Sequence, residues 1–277
     1  MLTVLAPGPL TTVQDLGRPG LAGIGVGRSG VADRASAALA NRLVGNDPGA
    51  AVLEATLGGL AVRAEADLVV VTTGARPAGC PAHDAPVALR AGATLRLGTP
   101  AAGLRTYLAV RGGITVEPVL GSRSTDLLAG LGPPALQAGD VLPVGAPSGA
   151  MPGVDVAPVP GPPGGEVTVR LLPGPRSDWL TDDALDALAT TAWTVTTESN
   201  RIGLRLDGPA LERRVADELP SEGLVRGALQ VPPSGTPVLF LADAPVTGGY
   251  PVAGYVADGD VDRCAQLRPG QTLRLRR

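Results

Sequence analysis

Lysine is missing from all 277 residues, so every basic side chain apart from one histidine is an arginine. Without lysine the chain cannot form a Schiff base, supply a lysine general base or carry a biotinylated lysine of its own. Aromatic residues make up 2% of the sequence, against 44% hydrophobic residues overall. The core is therefore expected to be built from Ala, Val and Leu. Few aromatics, no basic stripe and a net charge of −3 leave no electrostatic or stacking basis for binding nucleic acid. His83, the single histidine, lies in the turn-like stretch Cys80–Pro86 and reads as a surface residue. One histidine cannot assemble a Ser-His-Asp elbow or a histidine metal cluster, so no metal site is expected. General acid–base work falls to Asp, Glu or Tyr. Two cysteines, Cys80 and Cys264, make neither a disulfide framework nor a metal-ligand spacing and suit a reducing compartment. The apolar run around Leu68–Val71 is too short to cross a bilayer. The N-terminus opens on an alternating strand pattern and not on a basic region with an apolar stretch, so a cytoplasmic chain without a membrane segment is expected.

What is abundant is glycine and proline. Twelve of the twenty-one residues from Gly145 to Gly165 are one or the other, which excludes a helix or central strand and marks a linker. The expected division is 1–145, a linker over 146–165, and 166–277. The two flanking regions resemble each other. Thr3–Pro9 corresponds to Thr168–Pro175, and the motif Leu-x-x-Gly-x-x-Leu occurs at Leu89–Leu95, Leu136–Leu142 and Leu267–Leu273. This recurrence points to an internal duplication. Short Val, Leu, Ile and Thr runs broken by Gly and Pro predict a mainly β protein of barrel or sandwich type. Helical spacing is restricted to Ala32–Val44, ending on Gly45-Asn46, and Trp179–Thr190.

Chemistry concentrates in two segments. Thr11–Gly20 carries Thr12, Gln14, Asp15 and Arg18. Ser221–Pro251 carries Ser221, Glu222, Gln230, Asp243, Thr247, Gly248, Gly249 and Tyr250. Carboxylates, amides and hydroxyls in an Ala- and Val-rich chain are costly to bury without partners, so a polar cleft is the expectation. Asp15, Glu54, Glu222, Asp243 and Tyr250 are the candidate acid–base groups. Asp15 and Arg18 are placed for local pairing, and Glu54 is expected to pair with Arg18 or Arg123. Arg201 and Arg205 alternate onto one strand face, roughly 13 Å apart. With Asn200 at the preceding turn they either clamp a carboxylate or form a salt-bridged solvent face. Thr247–Pro251 is either a binding loop or a tight turn. Gly25–Gly30 satisfies G-x-G-x-x-G without the preceding buried strand that a dinucleotide site requires.

Ordered matches over the chain carry a resemblance to one family. They are Thr11–Gly20, Ala40–Asn46, Leu53–Gly58, Tyr107–Ile114, Val119–Asp126, Leu172–Pro175, Ser199–Gly203 and Ser221–Pro251. The sequence resembles the family of the 5-oxoprolinase C subunit, also called allophanate hydrolase subunit 2 or the biotin-dependent carboxyltransferase family. That family includes the KipA kinase-inhibitor antagonist and the carboxyltransferase part of urea carboxylase. The resemblance implies two cyclophilin-like β-barrels and adds Ser124 and Thr125 to the binding candidates. It implies two partners, the KipI-like B subunit of 5-oxoprolinase and its A subunit. The implied reaction is ATP-dependent opening of 5-oxo-L-proline to L-glutamate. ATP is then used by the complex, and no cofactor is held by this chain alone. The alternatives it carries are a biotin-dependent carboxyltransferase component and a non-catalytic KipA-like regulator. One position departs from the family pattern. Val252 stands where a cation commonly follows the Gly-Gly-Tyr-Pro turn, with Arg226 or Arg263 as the possible substitutes.

Overall fold

The computed structural model describes residues 1–277, which divide into two compact units. The first comprises Met1–Arg18, Ser29–Asp126 and Gly130–Pro162. The second comprises Pro19–Arg28, Leu127–Ala129 and Pro163–Arg277. Two short excursions from the N-terminal half thus group with the second unit, an arrangement that no local sequence signal announces.

The first unit is organised by a long bent ribbon. Strand β1 (Leu2–Pro7) continues past Gly8-Pro9 into β2 (Leu10–Gln14). Strand β3 (Val52–Thr56) continues past Gly58-Gly59 into β4 (Leu60–Ala64). β1 pairs with β4 and β2 with β3, all antiparallel, so both strands turn the same corner together. The corner requires glycine. Gly8 has φ +68°, and a Cβ there would lie 2.3 Å from the Gly58 carbonyl oxygen. Beyond the corner each end of the ribbon joins a different sheet. β5 (Leu68–Gly74), β6 (Val87–Leu89) and β8 (Arg105–Val110) complete a five-stranded sheet of order β2-β3-β8-β5-β6. β7 (Thr94–Arg96) and β9 (Val141–Leu142) complete a four-stranded sheet of order β7-β4-β1-β9. This half is two open sheets joined through a bent ribbon, because the glycine corner redirects the strands and the remaining edges do not pair.

The five-stranded sheet is covered on both faces, as the alternation along its strands demands. Leu53, Ala55, Val70, Leu108 and Val110 pack toward the other sheet. Val52, Val71, Tyr107 and Ala109 pack against α1 (Arg34–Leu43) through Ala37, Ala40 and Leu43. Asp33 caps α1 by accepting from the Ser36 N–H. The helix is two residues shorter than predicted at its start and one at its end, because the capping Asp33 is extended and cannot belong to the helix. Beyond its last turn Gly45 takes φ +69°.

The second unit closes completely. β10 (Val167–Pro173), β11 (Ala192–Val195), β12 (Gly203–Asp207), β14 (Ala228–Gln230), β15 (Val238–Phe240), β17 (Val252–Val256) and β18 (Thr272–Arg276) form a barrel of order β10-β17-β14-β15-β12-β11-β18. Only the closing pair, β10 with β18, is parallel. A separate two-stranded ladder joins β13 (Glu222–Gly223) to β16 (Thr247–Gly248). Helix α2 (Asp182–Thr190) is capped by Thr181, and Ser177–Trp179 forms a 3-10 turn, so the predicted helix over Trp179–Thr190 begins only at Asp182. Helix α3 (Asp258–Cys264) is not foreshadowed by the sequence pattern. It has seven residues, four of them charged, so almost no apolar periodicity announces it.

The three Leu-x-x-Gly-x-x-Leu stretches share one local fold. Gly92, Gly139 and Gly270 have φ of +80°, +96° and +85°. Each donates its N–H to a strand carbonyl: Ala64 at 2.7 Å, Val4 at 2.8 Å and Val195 at 2.8 Å. The same strand residue returns its own N–H to the carbonyl of the residue after the glycine. The flanking leucines are buried in all three. No helix or strand occurs from 145 to 165. Part of that stretch is pinned to the first unit, where the Ala157 N–H donates to the Asp84 carbonyl at 2.7 Å.

Candidate functional site

In the first unit the predicted residues assemble around the end of β2 and the stretch Val119–Asp126. Asp15 lies at the centre. Its Oδ1 accepts from the Ser122 hydroxyl at 2.5 Å, the Ser124 hydroxyl at 2.6 Å and the Gly17 N–H at 2.8 Å. Its Oδ2 accepts from the Arg123 N–H at 2.6 Å, and its own N–H donates to Ser124 Oγ at 2.9 Å. Four donors on one carboxylate make it a structural anion that ties two loops together. The expected Asp15–Arg18 pair does not form. The Arg18 Nε–H donates to the Val119 carbonyl at 3.0 Å and the Nη2–H to the Ser124 carbonyl. Gln14 donates through Nε2 to Thr12 Oγ1 and to the Thr125 carbonyl, both at 2.9 Å. Ser29, which lies inside the Gly25–Gly30 stretch, donates to the same Thr125 carbonyl.

Glu54 belongs to a polar row that crosses four strands. Thr12, Glu54, Tyr107 and Thr73 stand opposite one another along β2, β3, β8 and β5. The row holds the entrance to α1. Ala32 N–H donates to Glu54 Oε2 at 2.9 Å, Asp33 N–H to the Tyr107 hydroxyl at 2.8 Å, and Thr73 Oγ1–H to the Ser36 carbonyl at 2.7 Å. Burial pushes the Tyr107 phenol well above its ordinary value, and the charges of Glu54 and Asp33 push it further. The cation beside Glu54 is Arg105, with Nε 3.4 Å from Oε1 and both side chains buried. Arg18 and Arg123 are therefore not its partners. Arg105 lies two positions before Tyr107 on the same strand, so the alternation of β8 was the available signal for it. His83 is also corrected: it is buried, with Nδ1 3.2 Å from Thr72 Oγ1 and Nε2 3.1 Å from Asp84 Oδ2.

In the second unit Arg201 and Asp243 form a two-pronged ion pair, Nε to Oδ2 at 2.9 Å and Nη2 to Oδ1 at 3.0 Å. The Leu127 N–H also reaches Asp243 Oδ2, at 3.3 Å. Arg201 is buried while the Arg205 side chain is more than half exposed and faces Glu198. Arg201 and Arg205 therefore do not share one face, because Arg201 is turned inward before β12 begins. Asn200 Oδ1 accepts from the Ile202 N–H and fixes that turn.

The remaining candidates gather at the β13–β16 ladder. Glu222 stands opposite Gly248, and Gly223 opposite Thr247. Gln230 Nε2 donates to the Tyr250 carbonyl at 2.9 Å. A Cβ on Gly248 would lie 2.6 Å from Gln230 Nε2, so glycine is required for that bond to form. Ser221 borders the same turn, its Oγ 3.9 Å from where a Cβ on Gly249 would be. Arg176, which directly follows the matched Leu172–Pro175 stretch and drew no attention in the sequence, pairs with Glu222 through Nε and Nη2. That contact holds the Glu222 carboxyl below its usual range and raises Arg176. Tyr250, at 45% exposure, is the most open of the acid–base candidates. Val252 is buried, and neither proposed substitute cation is spare. Arg226 pairs with Asp258 and Asp262, and Arg263 with Asp260. A cavity of about 240 Å³ lined by Leu171, Leu172, Leu185 and Leu188 contains none of the candidate residues. No helix is long and apolar enough to cross a membrane.

The family model for the carboxyltransferase domain, subdomain A and B, matches residues 24–277. The chain is 39% identical to the 5-oxoprolinase C subunit of Escherichia coli K12, over 99% of this chain and 90% of that one. It is 33% identical to the protein of the same name from Haemophilus influenzae, with the same coverage. Among solved structures it is similar to TTHA0988, with TM-score 0.89 and 38% identity, over 100% of this chain and 55% of that one. It is also similar to the Kluyveromyces lactis urea carboxylase, with TM-score 0.90 and 31% identity, over 99% of this chain and 27% of that one. The chain thus spans most of the two bacterial relatives but little more than half, or about a quarter, of the two longer proteins. With its mainly β architecture and its motifs in matching order, this chain belongs to the carboxyltransferase-domain family that includes the C subunit of 5-oxoprolinase.

Proposed function

We propose that this chain is the C subunit of an ATP-dependent 5-oxoprolinase and acts with the A and B subunits to open 5-oxo-L-proline to L-glutamate. The observation that carries the reading is the 39% identity over nearly the full length of the E. coli relative. The chemical problem is a stable lactam. Transfer of the ATP terminal phosphoryl group to the lactam oxygen makes the ring carbon electrophilic. Water then adds, the carbon–nitrogen bond breaks as the nitrogen gains a proton, and a second water hydrolyses the resulting acyl phosphate to the carboxylate and inorganic phosphate.

In this proposal the chain chiefly binds the substrate. Asp15 is saturated by four donors, Glu54 is occupied by Arg105 and the entrance to α1, and Asp243 is locked to Arg201. All three are engaged by these partners, and Glu54 and Asp243 are buried as well. Glu222 and Tyr250 are the acid–base candidates that remain accessible.

The test is reconstitution with the A and B subunits, ATP and 5-oxo-L-proline, with glutamate as the readout. Release that needs all three chains supports the proposal. The likeness to urea carboxylase favours a second reading, carboxyl transfer from a biotin whose lysine belongs to another chain. Turnover with bicarbonate and biotin but not with 5-oxo-L-proline would establish that reading instead. Binding to the B subunit with no turnover of either kind would favour a regulator.

A further inference from the structure

Three arginines are fully buried: Arg18, Arg105 and Arg201. Arg105 has Glu54 and Arg201 has Asp243, as a cation removed from water requires. Arg18, at 2% exposure, has no carboxylate within ion-pair distance. Its contacts are two main-chain carbonyls, Val119 and Ser124, and its Nη1 has no partner at all. Asp15, three residues away, is committed elsewhere. The protein also makes room for this guanidinium. Gly132 has φ +83°, and a Cβ on it would lie 2.7 Å from Arg18 Nη2. Two further buried polar atoms in the same corner lack partners, Thr125 Oγ1 and Gln14 Oε1. Arg18 and Gln14 are tied through their other nitrogens to the consecutive carbonyls of Ser124 and Thr125. The three unsatisfied atoms therefore belong to groups gathered around one dipeptide.

A buried guanidinium without a counter-ion is held at a cost that an incoming carboxylate removes, and a charge-assisted bond to Nη1 is the strongest contact the corner can make. We infer that this corner recognises the carboxylate of a small organic acid, with Arg18 Nη1 as the charge partner and the Thr125 hydroxyl and Gln14 Oε1 as the remaining polar contacts. Gln14 Oε1 accepts only, which matches a ligand N–H adjacent to the carboxylate. The inference deepens the proposed function and rests on it for the identity of the ligand: 5-oxo-L-proline carries a carboxylate next to a ring N–H, whereas urea carries no carboxylate. The three atoms are closed off from solvent, so a ligand enters only as the surrounding loops part, and association should be slow.

Thermal unfolding of the full chain with 5-oxo-L-proline, cyclopentanecarboxylate, 2-pyrrolidinone and urea tests this. The two carboxylates should raise the midpoint, and the two neutral amides should not. Arg18→Gln should abolish the response while retaining a cooperative transition, since it removes an uncompensated charge. If that variant does not fold, the comparison of ligands on the wild-type chain still decides. Equal shifts with 2-pyrrolidinone and 5-oxo-L-proline, or no shift with either carboxylate, would overturn the inference and leave the corner to buried water. In the reconstituted complex, Arg18→Gln should raise KM for 5-oxo-L-proline on the order of tenfold to a hundredfold, the worth of one charge-assisted hydrogen bond. An unchanged KM with normal glutamate release refutes the inference and spares the proposed function. Carboxylate binding by a chain that supports no glutamate release does the reverse.

Discussion

Asp243 receives both prongs of the Arg201 guanidinium in the interior of the barrel unit, and each side chain has almost no contact with water. Removing one partner strands the other's charge. Arg201→Met should therefore cost about 3–5 kcal/mol, whereas Arg201→Met with Asp243→Leu should cost much less than the sum of the two single changes. Urea denaturation of the four proteins measures this. Additive losses would show that the pair is not coupled.

Glycine at the centre of each Leu-x-x-Gly-x-x-Leu turn serves its backbone angle alone, since a Cβ at Gly92, Gly139 or Gly270 meets nothing within 4 Å. Alanine at any of the three should cost about 1–2 kcal/mol, the strain of a left-handed L-residue. Gly8→Ala differs, because its Cβ would collide with the Gly58 carbonyl at the ribbon corner. Its loss should exceed the ~3 kcal/mol usual for overpacking. A ranking of chemical-denaturation midpoints in which Gly8→Ala is no worse than the others would refute the corner argument.

Tyr107 stays protonated in the fold because burial, Glu54 and Asp33 all oppose its phenolate. Its folded value lies above the unfolded one, so its contribution is complete below about pH 10. That contribution is lost as pH rises from there toward the folded value, where the unfolded chain gains by ionising. Alkaline titration should show the Tyr107 phenolate appearing together with unfolding, and Tyr107→Phe should move the alkaline transition to higher pH. Phenolate absorbance from Tyr107 in a chain with native circular dichroism would contradict this.

Glu222 and Arg176 pair at the surface, and the contact lowers the Glu222 carboxyl. The bridge is complete above the ordinary glutamate range and is lost as pH falls through the lowered folded value. Glu222→Gln should leave the unfolding midpoint at neutral pH unchanged, as exposed pairs contribute little. In the reconstituted complex it should slow glutamate release at unchanged stability. Wild-type turnover would remove Glu222 from the mechanism.

Cys264 is buried, and burial pushes its thiol up to about 12, while Cys80 is half-buried. A neutral alkylating reagent should modify one thiol per native chain, at Cys80, and both after unfolding. Mass spectrometry of the native adduct decides, and early labelling of Cys264 would contradict the packing around α3.

The sequence was informative where the physics is local. Gly45 marks the end of α1 through a left-handed backbone angle that needs only a few neighbouring residues, whereas helical spacing alone places both helix starts ahead of their caps, Asp33 and Thr181. The Pro/Gly-rich stretch lacks regular structure because its own residues forbid it. The three leucine–glycine turns could be found by spacing because each is one repeated local hydrogen-bond pattern. The chemistry-bearing residues were legible as a set, since polar groups stand out in a chain built of Ala, Val and Leu. Their partners were not legible. Pairing Glu54 with Arg105, Arg201 with Asp243 and Asp15 with two serines depends on strand order and loop approach over separations of 42 to 109 residues.

Composition and spacing by themselves determined a lysine-free, mainly β chain with two short amphipathic helices and two polar segments, because each of those properties is set within a few residues. Only the tertiary structure decided that one half closes into a barrel while the other remains two sheets around a glycine corner. It alone decided which buried charges are neutralised and which is not. Burial and counter-charge are properties of the space around a side chain, and that space is made by segments far away along the chain.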